Sequence, residues 1–110
     1  MRLNYAIKFV SDMDAAVRFY RDTLGMTLRF QSPFWSEFET GETKLALHPA
    51  SDDNPAGSVQ LGLGTDDLDR FYADGEAEGL VFTSPPRDLH GSRIARFRDP
   101  EGAEISIGGK

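Results

Sequence analysis

A chain of 110 residues, 39% hydrophobic and 11% aromatic, can close one packed core but leaves no room for a second independent domain. Its 12 basic residues stand against 18 acidic ones, and the net charge of -6 repels a phosphate backbone, which argues against nucleic acid as a partner. There is no cysteine, so disulfides, thiolate metal sites and a cysteine nucleophile are excluded.

Met1-Arg2-Leu3-Asn4 opens directly into a strand pattern. No apolar signal core precedes it and nowhere do about 18 apolar residues run together, so a cytoplasmic protein without membrane contact is expected. Alternation predicts a first strand at 3–10, then a helix at 13–24, where Met13, Ala16, Val17, Tyr20 and Leu24 form one stripe of helical period. Ser11 or Asp12 is its expected N-cap and Gly25 its left-handed stop. Strands are expected at 27–31, 35–40 and 44–48. The stretch from Pro49 to Gly57 is polar and rich in turn formers, as a linker should be. A fifth strand at 58–64 leads to a second helix at 67–78, whose weaker stripe holds Leu68, Phe71 and Tyr72. Gly75 inside it costs about 1 kcal/mol against alanine, and Gly79 ends it. Three more strands are expected at 81–84, 93–98 and 104–108. Pro85 to Gly91 reads as a loop, and Asp99-Pro100-Glu101-Gly102 as a type I turn whose acids serve the hairpin first.

These elements repeat. Val10-Ser11-Asp12-Met13-Asp14 matches Thr65-Asp66-Asp67-Leu68-Asp69 about 55 residues later, Phe19-Tyr20 matches Phe71-Tyr72, and Leu24-Gly25-Met26 matches Glu78-Gly79-Leu80. The expected organisation is one domain over 1–110, with module one at about 1–49, a linker at about 50–57 and module two at about 58–110.

The run from Tyr5 to Met26 and the closing Phe97-Arg98-Asp99-Pro100-Glu101-Gly102 resemble the vicinal oxygen chelate superfamily, which takes in glyoxalase I, extradiol dioxygenases, fosfomycin-resistance enzymes and bleomycin-resistance proteins. The resemblance covers essentially the whole chain. It implies an α+β fold of two βαβββ modules, forming a curled mixed sheet with a central cup and helices outside. It also implies a homodimer, since small members commonly pair. The matching motifs mark scaffold rather than chemistry.

Period-two alternation names the lining of such a cup. Leu45, Leu47, Val59, Leu61, Leu63, Ile105 and Ile107 belong under the helices, which leaves Lys44, Ala46, His48, Ser58, Gln60, Gly62, Glu104 and Ser106 facing inward. The first strand inverts the habit, with Tyr5, Ile7 and Phe9 on the inward register as a greasy, partly aromatic wall. Trp35 and Phe38 differ in parity, so one of them faces inward whichever way the third strand registers, and both stand as candidates. The plainer reading of any single one of these aromatics is core or dimer packing. Arg96 and Arg98 share the parity opposite to Phe97 and either enter as anion clamps or decorate the rim.

In metal-dependent members of the superfamily the ligands stand early in the first strand and on the last strand of each half; carried over, these places are Tyr5, Ala46, Gln60 and Ser106. A zinc site needs about three protein ligands even when catalytic, and only Gln60 qualifies, so neither metal nor other cofactor is expected. His48 could join Gln60 and Glu104 as a displaced ligand set or act as a general base; the plainer reading is a half-solvated strand-end histidine. His90 sits in a stretch that could close as a lid. A serine hydrolase on Ser106 lacks the Gly-x-Ser-x-Gly elbow, and Gly62-Leu63-Gly64 lacks the third glycine and helix start of a nucleotide loop.

The residues lead to a small-molecule-binding protein without metal, holding a partly aromatic or apolar ligand against Tyr5, Ile7, Phe9, Trp35 and Phe38 and orienting it with His48, Gln60, Arg96 and Ser106. No catalytic residue is assigned. The alternatives are a metal-dependent lyase or dioxygenase with a displaced ligand set, a metal-free isomerase or lyase using His48 or Tyr5 as acid or base, and a subunit whose cup closes against a partner.

Overall fold

The computed structural model describes residues 1–89 and 91–110, which divide into two compact units, Asn4–Val59 and Met1–Leu3 with Gln60–Lys110. The reading of His90 as part of a lid lies outside the described residues. Each unit is built on a strand, a helix and three strands, an α+β plan with mixed strand directions.

The first unit runs β1 (Arg2–Val10), α1 (Met13–Arg18), β2 (Thr27–Phe30), β3 (Ser36–Glu39) and β4 (Lys44–Pro49), in the spatial order β2-β3-β4-β1. The β1–β4 contact is parallel, because α1 and two strands intervene; β2–β3 and β3–β4 are antiparallel. Asp12, in extended backbone at φ -139, caps α1 by accepting from the Ala15 N–H at 3.0 Å. The helix continues as a π-helical stretch, Phe19–Thr23, in which the Leu24 N–H donates to Phe19 O at 3.1 Å. Gly25 then takes φ 74 and stops it. Val17, Phe38 and Leu47 are buried together under α1, with Met13, Tyr20 and Leu45 packed around them. The polar stretch after β4 is not free: the Ala50 and Gly57 N–H groups donate to Val10 O and Phe9 O at 2.8 and 2.9 Å, which ties it along β1.

The second unit runs β5 (Val59–Thr65), α2 (Leu68–Ala77), β6 (Phe82–Leu89), β7 (Ser92–Arg98) and β8 (Glu104–Gly109), in the order β5-β8-β7-β6. Asp67 caps α2 as Asp12 caps α1, at the same φ of -139, accepting from the Arg70 N–H at 3.1 Å. Leu68 and Phe71 on α2 pack against Ala95, Phe97 and Ile107. Gly75 has a packing reason for its place in the helix: a Cβ there would stand 3.0 Å from the Phe82 ring and 3.1 Å from Leu80. At Gly109 the parallel β5–β8 pair approaches so closely that a Cβ would lie 2.3 Å from Thr65 O. The Asp99–Gly102 turn closes as expected, with the Gly102 N–H donating to Asp99 O at 2.9 Å and the Asp99 carboxylate accepting from Glu101 and Ala103 N–H.

Two readings are corrected. Pro85 and Pro86 do not open a loop; they lie within β6, which sits at the end of the strand order and shifts register between Ser84 and Arg87. A ladder tolerates missing N–H donors at an edge or bulge, and β6 supplies both. Val59 and Leu61 are not covered by a helix but remain 56% and 43% exposed, since α1 packs over β4 and α2 over β6, β7 and β8. Among the described residues no helix is long and apolar enough to cross a membrane.

Candidate ligand-binding faces

In the first unit the parallel register sets Tyr5, Ile7 and Phe9 beside Lys44, Ala46 and His48. Ile7, Phe9 and Ala46 are buried in one cluster, with Tyr5 and Trp35 packed against it, on the sheet face opposite the Leu47–Val17 core. The rings interlock edge to face: Tyr5 with Trp35 at 5.5 Å and 77°, Trp35 with His48 at 6.3 Å and 84°, Phe9 with His48 at 5.3 Å and 61°. Glu37 holds two of them. Its Oε1 accepts from Trp35 Nε1–H at 2.8 Å and from the Tyr5 hydroxyl at 3.3 Å. Burial first, and the Glu37 charge second, push the Tyr5 phenol above its usual range, so it stays a protonated donor at neutral pH. His48 is exposed, and its Nδ1 lies 2.8 Å from Pro49 O, which accepts from it, while Nε2 has no hydrogen-bond partner among the described residues.

Phe38 leaves the candidate wall. Ser36 and Phe38 pair with Leu47 and Leu45, which turns them toward α1, and Phe38 is fully buried there, 5.8 Å from the Tyr20 ring. Trp35 and Glu37 take the other face. A separate concavity of about 470 Å³, lined by Asp12, Met13, Asp14, Gln31, Ser32 and Pro33, lies by the start of α1. Its carboxylates are engaged, Asp12 as the helix cap and Asp14 with the Gln31 amide, so it offers less chemistry than the ring cluster.

In the second unit the face opposite the α2 core is polar. The nearly buried Gln60 amide donates to Glu104 Oε1 at 3.2 Å, and the Thr83 hydroxyl donates to Glu104 Oε2 at 2.6 Å. Ser106 stands between Gly62 and Arg96 in the ladder. The two arginines separate: Arg98 donates to Gly102 O at 2.8 Å and serves the turn, whereas half-buried Arg96 has no ion-pair partner among the described residues. The structure thus gathers Tyr5, Ile7, Phe9, Trp35 and His48 in one unit and Gln60, Arg96 and Ser106 in the other. Sequence reasoning missed Glu37 and Thr83. Glu37 was accessible to it, since it shares the parity of Trp35.

The donor set at the metal-ligand places does not fit a divalent ion. Tyr5 is held as a phenol by Glu37, Ala46 has no donor atom and is fully buried, Gln60 is bonded to Glu104, and Ser106 is a neutral hydroxyl. Among the described residues no three His, Asp or Glu side chains gather at metal-binding spacing.

The two βαβββ units define a class, and the family follows from it. The model of the Glyoxalase/Bleomycin resistance protein/Dioxygenase superfamily matches residues 2–107, and the chain belongs to that superfamily. A relative from Bacillus subtilis (strain 168), the uncharacterised protein YraH, is 26% identical over 97% of each chain. The structure of hypothetical protein BH1468 from Bacillus halodurans C-125 is similar at a TM-score of 0.83 and 16% identity, covering 99% of this chain and 94% of that one. A Streptomyces coelicolor methylmalonyl-CoA epimerase is similar at a TM-score of 0.82 and 21% identity, covering 100% and 97%. These structural likenesses establish the fold.

Proposed function

We propose that the protein binds a small, partly aromatic or apolar molecule without a metal, against the ring surface of the first unit. The observation that carries this is the interlocked Tyr5, Phe9, Trp35 and His48 cluster, on the sheet face away from α1 and braced by Glu37. A flat apolar ligand gains about 25 cal/mol for each Å² of apolar surface it covers there, and the preset rings cost little ordering on binding. On the second unit, taken by itself, Gln60, Arg96 and Ser106 are proposed as a separate polar binding face. A homodimer belongs to the same proposal, supported by Phe30 and Phe34 at 51% and 76% exposure; light scattering at two concentrations checks it.

The test pairs elemental analysis, after soaking in zinc, nickel, manganese or iron(II), with titration of Trp35 fluorescence by planar ligands. The reading predicts no stoichiometric retained metal and saturable quenching. A retained stoichiometric metal, or the failure of every planar ligand to move Trp35 emission, sinks it.

One observation favours a second reading, a metal-free isomerase or lyase: the His48 ring is fixed by its Nδ1 contact with Pro49 O, and its Nε2 has no hydrogen-bond partner among the described residues. Tyr5, held protonated, is the weaker base. The epimerase of the same fold makes methylmalonyl-CoA a reasonable trial substrate. Absence of α-proton exchange into deuterated solvent, or exchange unchanged in His48→Gln, removes this reading.

A further inference from the structure

We propose that the ring cluster selects ligands carrying a cationic nitrogen, an ammonium or amidinium group joined to an apolar or aromatic body; this deepens the binding function proposed above and rests on it. The half-buried Glu37 carboxylate meets only neutral donors, the Tyr5 hydroxyl and Trp35 Nε1–H, and both use Oε1. Its Oε2 has no partner among the described residues. Two cations stand nearby, Lys44 beside Tyr5 in the ladder and Arg29, whose charge acts on Tyr5, and neither forms an ion pair with Glu37 among the described residues. Arg29 pairs with Glu39 at 2.9 Å, and the Lys44 charge acts on Glu39 as well. A bound cation would supply the missing partner of Glu37 and lie against the electron-rich faces of Trp35 and Tyr5, of which tryptophan is the best such surface. Because Trp35, Tyr5 and Glu37 are each only half-buried, all three present surface to an incoming group. An anionic ligand would face an unpaired carboxylate at the same spot and be rejected.

The experiment titrates Trp35 emission with benzyltrimethylammonium, benzyl alcohol and benzoate on the whole chain, and repeats it with Glu37→Gln, whose amide oxygen still accepts from Tyr5 and Trp35. The inference predicts roughly tenfold tighter binding of the cation than of the alcohol, weaker binding of benzoate than of either, and loss of the cation-over-alcohol preference in Glu37→Gln. Raising salt on the unmutated protein weakens only the cation, a check that needs no variant to fold. If benzyl alcohol binds as tightly as the cation, or the preference survives in Glu37→Gln, the inference is wrong while the binding function stands. If no probe of any charge moves Trp35, both fall together.

Discussion

The two units share a plan down to their helix caps, yet the sheet faces turned away from their helices are chemical opposites. In the first, buried Ile7, Phe9 and Ala46 lie under half-buried Tyr5 and Trp35 in an apolar, ring-rich layer, with the Glu37 carboxylate set into it. In the second, Gln60, Thr83 and Glu104 make a hydrogen-bonded one beside Ser106 and Arg96, whose guanidinium has no ion-pair partner among the described residues. The helix-side cores are alike in kind, aliphatic and aromatic in both. The comparison teaches that a repeated scaffold keeps what closes the core under each helix and varies what stands on the opposite face.

The sharpest way to break that division is to truncate two aromatics from the same strand region that face opposite ways. Phe38→Ala should lower stability by about 3–5 kcal/mol, because a fully buried ring leaves a cavity under α1. Trp35→Ala should cost about 1–2 kcal/mol, being half-buried, while abolishing binding of planar ligands. Urea unfolding followed by circular dichroism compares them, and equal losses would erase the distinction between the faces.

A smaller effect tests the polar face. Glu104→Ala leaves the Gln60 amide and Thr83 hydroxyl without their acceptor and should cost about 1–2 kcal/mol in the same assay. A neutral result would mean that this network contributes nothing to the fold. Asp12→Ala and Asp67→Ala should each cost about 1 kcal/mol, and similar values would confirm that the units share their capping as well as their topology.

What was legible in the sequence was local. The caps, the glycine stops and the strands that alternate could be placed because each depends on a few neighbouring residues, and Asp12, Gly25 and Gly79 behave as read. What was not legible depended on partners. Pro85 and Pro86 read as a loop because a proline pair breaks a ladder unless the strand lies at an edge or bulge, and the sequence does not say that β6 does. Trp35 and Phe38 could not be told apart until the pairing of Phe38 with Leu45 turned one of them toward α1. Val59 and Leu61 alternate as a buried pair would, but alternation does not say over which strands a helix lies. On the candidate faces, ring types were visible and their brace was not, since a glutamate in a strand reads as a solvated residue until its donors are known.

The smallest prediction concerns pH. Tyr5 is raised above its ordinary value of 10.0, by burial first and Glu37 second, so the folded state holds that proton more tightly than the unfolded one. The associated stability is present below pH 10 and is lost as pH rises through the folded value. Absorbance titration of the phenols should show Tyr5 ionising late, and earlier in Glu37→Gln than in the unmutated protein, though still above 10.0 because burial remains. No difference between the two would remove the coupling between the brace and the ring.

The proline pair in β6 has a consequence for the life of the protein in a crowded solution. An open sheet edge is a template for another chain, and growth from it requires N–H donors at regular intervals along the strand. Pro85 and Pro86 stand together where β6 shifts register, and neither has an N–H to offer, whether to β7 or to a strand approaching the open side. A strand that tried to add here would meet a gap and a register shift together, and ordered fibre growth from this edge would stall in its middle.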